Sequence, residues 1–122
     1  MSHKKLTKTN INLKRMIRKL KDKSRSNGAK IWKDVAERLS KSHRIQSEVN
    51  VYKLAKNTKK DDIVLVPGKV LGVGSLKHNL TVSAFHFTES AKEKILQAKG
   101  KCVSIMELAE MNPKGSNVKI MG

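Results

Sequence analysis

Residues 63–87, IVLVPGKVLGVGSLKHNLTVSAFHF, carry the pattern that decides the fold. The unbroken apolar run Ile63–Val66 predicts a buried strand, which Pro67-Gly68 is expected to end. Residues Leu80–Phe87 alternate well enough for a second strand, and apolar side chains fall on both of its faces. The glycine-rich segment Gly68–Asn79 is expected to be a loop between the two strands. The stretch therefore predicts the centre of a sheet that is covered on both sides.

Short helices and short strands alternate around this centre. Upstream, Val49, Val51 and Tyr52 suggest a short strand, and Leu54–Asn57 suggests a helical turn. Glu107 stands in the capping-box position relative to Ser104. This alternation predicts a small α/β domain with at least partly parallel strand pairing. The predicted downstream elements are a helix from a Thr88 or Ser90 cap to about Ala98 with Gly100 ending it, a strand at Cys102-Val103, a helix over Ile105–Met111 capped by Ser104, a turn at Asn112–Gly115 and a strand at Val118–Met121.

The N-terminal part carries two amphipathic helical patterns. Residues 1–8 lack periodicity and predict a flexible basic tail, and Thr9 or Asn10 is expected to start the first helix. This helix is expected to end at Ser24–Gly28 and to bury one apolar stripe, formed by Leu13, Met16, Ile17 and Leu20. The second pattern, over residues 30–41, has an exposed face of mixed charge, so we expect a structural helix with the apolar stripe Ile31, Trp32, Val35, Ala36 and Leu39.

The charge of the chain is large and unevenly distributed. The 122 residues include 27 Lys and Arg against 10 Asp and Glu, a formal net charge of +17. Residues 1–60 hold +15 of this charge and residues 61–122 only +2. Such asymmetry is typical of proteins that bind nucleic acid. A basic face that only aids solubility would need far fewer charges. A membrane-surface role is disfavoured because the apolar face of the first helix lacks Trp and Phe.

Several other classes of protein are disfavoured by composition and spacing. Neither a run of about 18 apolar residues nor a secretory leader is recognisable, so we expect a cytoplasmic protein. The single cysteine, Cys102, excludes an intramolecular disulfide and a multi-cysteine zinc site, and it is expected to be a buried structural thiol. The four histidines, His3, His43, His78 and His86, lack the spacing of zinc ligands, and His86 is expected to be half-buried in its strand.

Nucleotide binding and catalysis also find little support. A phosphate loop ending at Gly68-Lys69 would need glycine where Ile63 stands and Ser or Thr where Val70 stands. The segment Gly72–Gly74 lacks the third glycine of a dinucleotide fingerprint, because Lys77 occupies that position. The only adjacent carboxylates, Asp61-Asp62, diverge in direction and are expected to form a turn. We therefore expect no cofactor, no metal, no small-molecule substrate and no enzymatic activity.

The scarcity of aromatic residues bears on the kind of nucleic acid. Aromatics make up 3% of the chain, and Trp32, Phe85 and Phe87 are expected in the core. Recognition by base stacking, which needs exposed rings, is therefore disfavoured. A helix-turn-helix over residues 10–41 is also disfavoured, because its second helix has the weaker basic face. The pattern favours recognition of structured RNA through its phosphates and its shape.

Several motifs resemble one protein family. They are Val66–Gly74, Leu80–Ala84, Phe87–Ala91, Lys94–Gly100 and Asn112–Gly115, together with Thr9-Asn10 before the basic helix and Arg44 before Glu48–Val51. Taken in chain order, these motifs are similar to the archaeal and eukaryotic large-subunit ribosomal protein eighteen-e. That family is itself similar to the C-terminal half of the bacterial fifteen-type protein of the same subunit. The short length and the Lys-rich start look archaeal. Lys99 departs from the family, which more often has a small residue there.

The resemblance implies a structural constituent of the large ribosomal subunit that binds large-subunit ribosomal RNA and neighbouring ribosomal proteins. It also implies a fold of irregular β-β-α superhelical turns that follows a basic N-terminal helical region. We therefore expect one domain over residues 1–122, with the tail at 1–8, the helical region at 9–45 and the β-β-α core at 46–122.

The predicted RNA-binding residues are mainly basic side chains of the N-terminal half. Two rivals remain open, a DNA-binding chromatin protein and an RNA-modifying enzyme, and the second lacks a recognisable cofactor loop or acid–base pair. The predicted residues are Lys4, Lys5, Lys8, Asn10, Lys14, Arg15, Arg18, Lys19 and Arg25 on the N-terminal arm and helix, His43 and Arg44 in the following turn, and Lys69, Lys77, His78 and Lys114 as secondary contacts.

Overall fold

The computed structural model describes residues 2–41 and 47–121, and their side chains from Lys14 onward except at residues 41 and 47. The described residues form five helices and five strands. In chain order these are α1 Ser2–Asn27, α2 Lys30–Lys41, β1 Ser47–Asn50, α3 Val51–Asn57, β2 Ile63–Leu71, β3 Thr81–Phe87, α4 Glu89–Gln97, β4 Lys101–Ser104, α5 Ile105–Met111 and β5 Val118–Ile120.

The five strands form one parallel sheet in the order β1-β2-β3-β4. Strand β2 is the longest, and β3 pairs along one of its edges. The other edge is shared, because β5 pairs with residues 63–65 and β1 pairs with residues 68–71. Parallel strands need crossover connections, which α3, α4 and α5 provide for the other strands and the loop of residues 72–80 provides between β2 and β3. The predicted α/β class and parallel pairing are confirmed.

Helices cover both faces of the sheet, as the apolar pattern of β2 requires. Leu65 points into one core cluster, whereas its neighbours Val64 and Val66 point into the other. The first cluster packs α1, α2 and α5 on one face and includes Leu20, Trp32, Val35, Leu39, Ile105 and Leu108. The second packs α3 and α4 on the opposite face and includes Val51, Leu54, Val82, Ala91 and Ile95.

Strand β2 continues through Pro67-Gly68, so the prediction that these residues end it was wrong. The register shifts between Val66 and Lys69, where β2 has one residue more than β3. This bulge accommodates a proline, which has no N–H to donate to the ladder. Pairing with β1 then extends the strand to Leu71. Lys69 consequently lies in a strand and not in the glycine-rich loop.

Two boundaries in the N-terminal half differ from the prediction. The backbone is helical from Ser2, so the prediction that the helix starts at Thr9 or Asn10 was wrong, whereas the flexibility of residues 1–8 stays a prediction. Lys and Leu favour helix, and the first glycine of the chain is Gly28, which has a φ of +64° and ends α1 as predicted. Val51 and Tyr52 belong to α3, because Val51 and Leu54 are buried at helical spacing.

The caps of α4 and α5 follow the sequence closely. Thr88 Oγ1 accepts from the Ala91 N–H at 3.3 Å. At α5, Ser104 Oγ accepts from the Glu107 N–H at 3.1 Å, and a Glu107 carboxylate oxygen accepts from the Ser104 N–H at 3.2 Å. The predicted capping box is therefore confirmed.

The C-terminal end of α4 has the hydrogen bonds of a Schellman motif. The Gly100 N–H donates to the Ile95 carbonyl at 2.9 Å, and the Lys99 N–H donates to the Leu96 carbonyl at 2.9 Å. Lys99, with a φ of 64°, adopts the left-handed conformation that usually favours glycine. Gly100 is needed for space, since an added Cβ would lie 2.5 Å from the Leu80 carbonyl oxygen.

Candidate nucleic-acid interface

Helix α1 presents an exposed row of cations opposite its packed face. Lys14, Arg18, Lys21 and Arg25 recur at helical spacing and are all exposed. This row extends over about 16 Å, because eleven residues of helix rise about 1.5 Å each. Arg15 and Lys19 are exposed beside it. On the other side, Met16 and Ile17 are half-buried and Leu20 is fully buried against the first core cluster.

The acidic neighbours of this row reduce its charge only slightly. Asp22 accepts a 2.6 Å hydrogen bond from Arg25, with both side chains exposed. On α2, Asp34 pairs with Arg38 at 3.1 Å. Exposed pairs of this kind contribute little and are screened by salt. The row therefore keeps Lys14, Arg18 and Lys21 without a carboxylate partner in the part of the chain that the structure describes.

A groove between α1 and α2 adds one basic residue, Lys33, that the sequence prediction missed. The groove has a volume of about 290 Å³ and is lined by Lys21, Ser24, Arg25, Lys33 and Glu37. Lys33 was assigned to a structural helix because its neighbours on α2 have mixed charge. Its position opposite α1 depends on the α1–α2 packing, which the periodicity of one helix does not reveal.

The turn that carries Lys114 lies against the start of α2. The Trp32 Nε1–H donates to the Pro113 carbonyl oxygen at 2.6 Å. Gly115 has a φ of +67°, and an added Cβ would lie 2.3 Å from Ile31 Cγ2. The exposed Lys114 is therefore on the same side of the sheet as α1.

The glycine-rich loop lies on the opposite side of the sheet, along α3. The Tyr52 N–H donates to the Val73 carbonyl at 3.0 Å near the start of α3. At the end of α3, Thr58 Oγ1 lies 2.8 Å from His78 Nε2. Because the Thr58 hydroxyl donates to the Leu54 carbonyl at 2.6 Å, we assign His78 Nε2 as the donor to Thr58.

These contacts separate two residues that the sequence grouped together. His78 is half-buried and its Nε2–H is used within the protein, so this atom is occupied. Lys77 is exposed and projects from the loop. Neither residue is on the α1 side, so the predicted RNA-binding residues divide between two surfaces.

The remaining predicted residues are placed as follows. Lys69 is half-buried in β2, where Glu48 of β1 and His86 of β3 are its register partners. His86 is exposed, so the prediction that it is half-buried was wrong; after the register shift it lies opposite Lys69, near the end of β3. Lys4, Lys5, Lys8 and Asn10 belong to the α1 backbone, and His43 and Arg44 lie outside the described residues.

Lys94 is a structural residue of the glycine-rich loop that the sequence prediction did not single out. Its Nζ donates to the carbonyl oxygens of Gly72 and Gly74. An added Cβ at Gly72 would lie 1.9 Å from Ser90 Oγ, so the loop packs directly on α4. Lys94 is half-buried, and its two hydrogen bonds hold the loop against α4.

In the described part of the chain, the cysteine thiol of Cys102 is half-buried. Burial raises the pKa of the Cys102 thiol, and the nearby charge of Lys92 opposes this only in part. This agrees with a half-buried structural thiol. Among the described residues, His, Cys, Asp and Glu form no cluster that could hold a metal ion. Within the same residues, no helix combines the length and the apolar character needed to cross a membrane.

The comparison with known proteins covers the whole chain. The family model described as ribosomal protein 60S L18 and 50S L18e matches residues 1–122. The chain belongs to this family. Relatives named large ribosomal subunit protein eL18 include one from Methanococcus maripaludis, 52% identical over 97% of this chain and 98% of its own length. Another, from Archaeoglobus fulgidus, is 48% identical over 95% of this chain and 99% of its own length.

Family membership confirms the resemblance drawn from the motifs around the central strands. The relative from Methanothermobacter thermautotrophicus, 46% identical over 97% of this chain, also carries the name eL18. These relatives are ribosomal proteins of archaea, as the short length and basic start suggested. The similarity to the bacterial fifteen-type protein stays a prediction.

Proposed function

We propose that this chain is a structural constituent of the large ribosomal subunit that binds large-subunit ribosomal RNA chiefly through the exposed face of α1. The observation that carries the proposal is the row Lys14, Arg18, Lys21 and Arg25, exposed along a helix whose other face is packed in the core. A rigid row of cations can contact consecutive phosphates without rearrangement of the protein.

The contribution of each basic residue would be electrostatic. Lysine and arginine neutralise phosphates and release bound counterions, so affinity falls steeply with salt. Arg15 and Lys19 widen the row, Lys33 in the α1–α2 groove extends it, and Lys114 adds a cation in the turn that contacts α2. Lys4, Lys5, Lys8, Asn10, Arg44 and His43 are proposed to continue the same contact.

Shape recognition would give the protein a preference for RNA over DNA. Double-stranded RNA is recognised mainly by its shape, its phosphates and its 2′-hydroxyls. Helix α2 has a mixed-charge face and is packed under α1, so it does not offer the basic recognition helix of a helix-turn-helix protein. This arrangement disfavours the chromatin-protein alternative.

The protein would act by holding RNA segments in place and not by catalysis. It would work in the cytoplasmic ribosome beside neighbouring ribosomal proteins, without a cofactor or a small-molecule substrate. A structural constituent is present at one copy per subunit, whereas an RNA-modifying enzyme would be present in lower amounts. The copy number of the protein in purified large subunits therefore separates these two alternatives.

The direct test replaces three basic residues of the row and compares this variant with one that replaces three lysines elsewhere. The test variant is Lys14→Gln/Arg18→Gln/Lys21→Gln, and the matched control is Lys92→Gln/Lys99→Gln/Lys101→Gln, whose members are also exposed. Binding to large-subunit ribosomal RNA is measured at several salt concentrations. With about six phosphate contacts the log–log slope of the wild type should be near −5, and the test variant should be shallower by about 2 to 3.

The control should keep the slope of the wild type. An unchanged slope in the test variant would contradict the assignment of RNA binding to α1. Because all three replaced side chains are exposed, both variants should unfold at the temperature of the wild type, and this should be verified by circular dichroism.

A further inference from the structure

The outer side of α3 and the glycine-rich loop form a second basic surface. We call it the α3 face and define it by five exposed residues, Tyr52, Lys53, Lys56, Val73 and Lys77. The loop follows α3 along its whole length, since it is hydrogen-bonded near the start of the helix and again at its end. These residues therefore belong to one continuous surface.

The charge of the α3 face is of one sign. Residues 51–60 and 72–80 contain no Asp or Glu. Within the described residues, Lys53, Lys56 and Lys77 form no ion pair with a carboxylate. The carboxylates that follow α3 are already engaged, since Asp61 accepts from Asn79 and Asp62 from Lys119. The surface therefore suits a polyanionic partner better than an apolar one.

Tyr52 is the one aromatic side chain that the core does not take up. It is 54% exposed, whereas Trp32 is fully buried and Phe85 and Phe87 are packed against the two core clusters. Val73, which is 63% exposed, belongs to the backbone segment that accepts the Tyr52 N–H. An exposed ring among lysines is the combination that binds unpaired nucleotides, with the base stacked on the ring and its phosphates bound by the cations.

The position of Tyr52 is fixed by its surroundings. The backbone of Gly74 passes so close that an added Cβ would lie 2.4 Å from Tyr52 Cβ. Lys94 in turn holds the carbonyls of Gly72 and Gly74. The ring is therefore carried by an anchored backbone, and stacking a base on it would order little more than the ring itself.

We propose that the α3 face is a second RNA-binding surface, on which Tyr52 stacks against an unpaired base while Lys53, Lys56 and Lys77 bind the flanking phosphates. This proposal rests on the proposed function. The α3 face and the α1 row lie on opposite sides of the sheet, roughly 20 Å apart if each helical layer packs about 10 Å from the sheet. The two surfaces would therefore hold different RNA segments, and the protein would bridge them.

The test uses the full chain, large-subunit ribosomal RNA made by transcription, and hydroxyl-radical footprinting together with affinity measurements. The variants are Tyr52→Ala, Tyr52→Leu, which keeps an apolar side chain, and Tyr52→Phe, which keeps the ring. The triple variant of the α1 row serves as the comparison for the other surface. Because Tyr52 is exposed, its variants should fold, and thermal unfolding checks this.

Both Tyr52→Ala and Tyr52→Leu should lose protection of one unpaired segment and bind about tenfold more weakly, while Tyr52→Phe should behave as the wild type. The α1 triple variant should lose protection of a different segment. Wild-type footprints and affinity in both Tyr52→Ala and Tyr52→Leu would overturn the proposal and leave the proposed function standing. Wild-type behaviour in Tyr52→Leu alone would also overturn it, since it would point to an apolar protein partner.

Discussion

The Trp32 Nε1–H donates a 2.6 Å hydrogen bond to the Pro113 carbonyl oxygen, although the two residues are 81 positions apart. This bond joins α2 to the turn that follows α5, and it gives the fully buried indole a partner for its only polar group. It also brings Lys114 to the side of the sheet that carries α1. This one contact therefore contributes to the stability of the fold and also to the position of Lys114.

Removing this contact should lower stability. Trp32→Phe loses the donor and leaves the Pro113 carbonyl without its partner, so the free energy of unfolding should fall by about 1–2 kcal/mol from the hydrogen bond, with a further loss from the smaller ring. Urea denaturation measures this change. Lys114→Gln, which removes an exposed charge in the same turn, is the control and should leave stability unchanged. An equal loss in both variants would contradict the role of the hydrogen bond.

Two serines on neighbouring strands should respond to alanine in opposite directions. Ser83 is fully buried in β3, and its Oγ lacks a hydrogen-bond partner among the described residues. Ser83→Ala removes this unsatisfied hydroxyl, so the protein should keep its stability or gain up to about 1 kcal/mol. Ser104→Ala removes the cap of α5 and should lose about 1 kcal/mol. Thermal unfolding of both variants compares them, and a clear loss in Ser83→Ala would show that its hydroxyl is satisfied.

The glycine-rich loop should depend on Lys94. Lys94→Met keeps the length of the side chain but loses both hydrogen bonds to the loop carbonyls. The Tyr52 amide, which donates to Val73 in that loop, should then exchange its hydrogen faster by about tenfold or more. Lys92→Met changes an exposed lysine of the same helix and should leave this amide as it is. Equal protection of the Tyr52 amide against hydrogen exchange in the two variants would contradict the role of Lys94 in holding the loop.

Stability should fall in acid partly through Asp62. Its carboxylate accepts the Lys59 N–H at 2.8 Å and the Lys119 Nζ–H at 3.0 Å, and these bonds hold its pKa below the usual range. A lowered pKa stabilises the folded state at pH values above the unfolded pKa of about 4, and this stabilisation is lost as pH falls through the folded pKa. Asp62→Asn should therefore flatten the decline of stability below about pH 4.

The partners of Asp62 should contribute unequally. The backbone bond from Lys59 is the larger cause of the lowered pKa, so Lys119→Gln should flatten the decline less than Asp62→Asn does. Urea denaturation between pH 2 and 7 measures both variants. If Lys119→Gln had the larger effect, the order of the two causes would be wrong.

Local signals explain why the starts of α4 and α5 were predictable. Thr88, Ser104 and Glu107 make their capping hydrogen bonds within a few residues, so the starts of α4 and α5 follow from sequence alone. The extension of β2 beyond Pro67 was not predictable in this way. It depends on pairing with β1, and residues 68–71 themselves carry no local signal of this partner.

The predicted RNA-binding residues also differ in whether local signals or long-range contacts determine their positions. The exposure of Lys14, Arg15, Arg18 and Lys19 follows from the helical period, because one apolar stripe determines which side chains remain outside. The separation of Lys77 from Lys114 does not follow from sequence. It results from two long-range contacts, His78 with Thr58 and Trp32 with Pro113. The sequence also did not reveal that Tyr52 is exposed, because it suggested a strand where α3 begins.

Competition between two nucleic acids tests the central claim most directly. The full chain is bound to large-subunit ribosomal RNA at physiological salt and challenged with duplex DNA at an equal concentration of phosphate. We expect the RNA to remain bound, because the two proposed surfaces would recognise the shape and the unpaired segments of structured RNA. Displacement of the RNA by duplex DNA at equal phosphate concentration would contradict it.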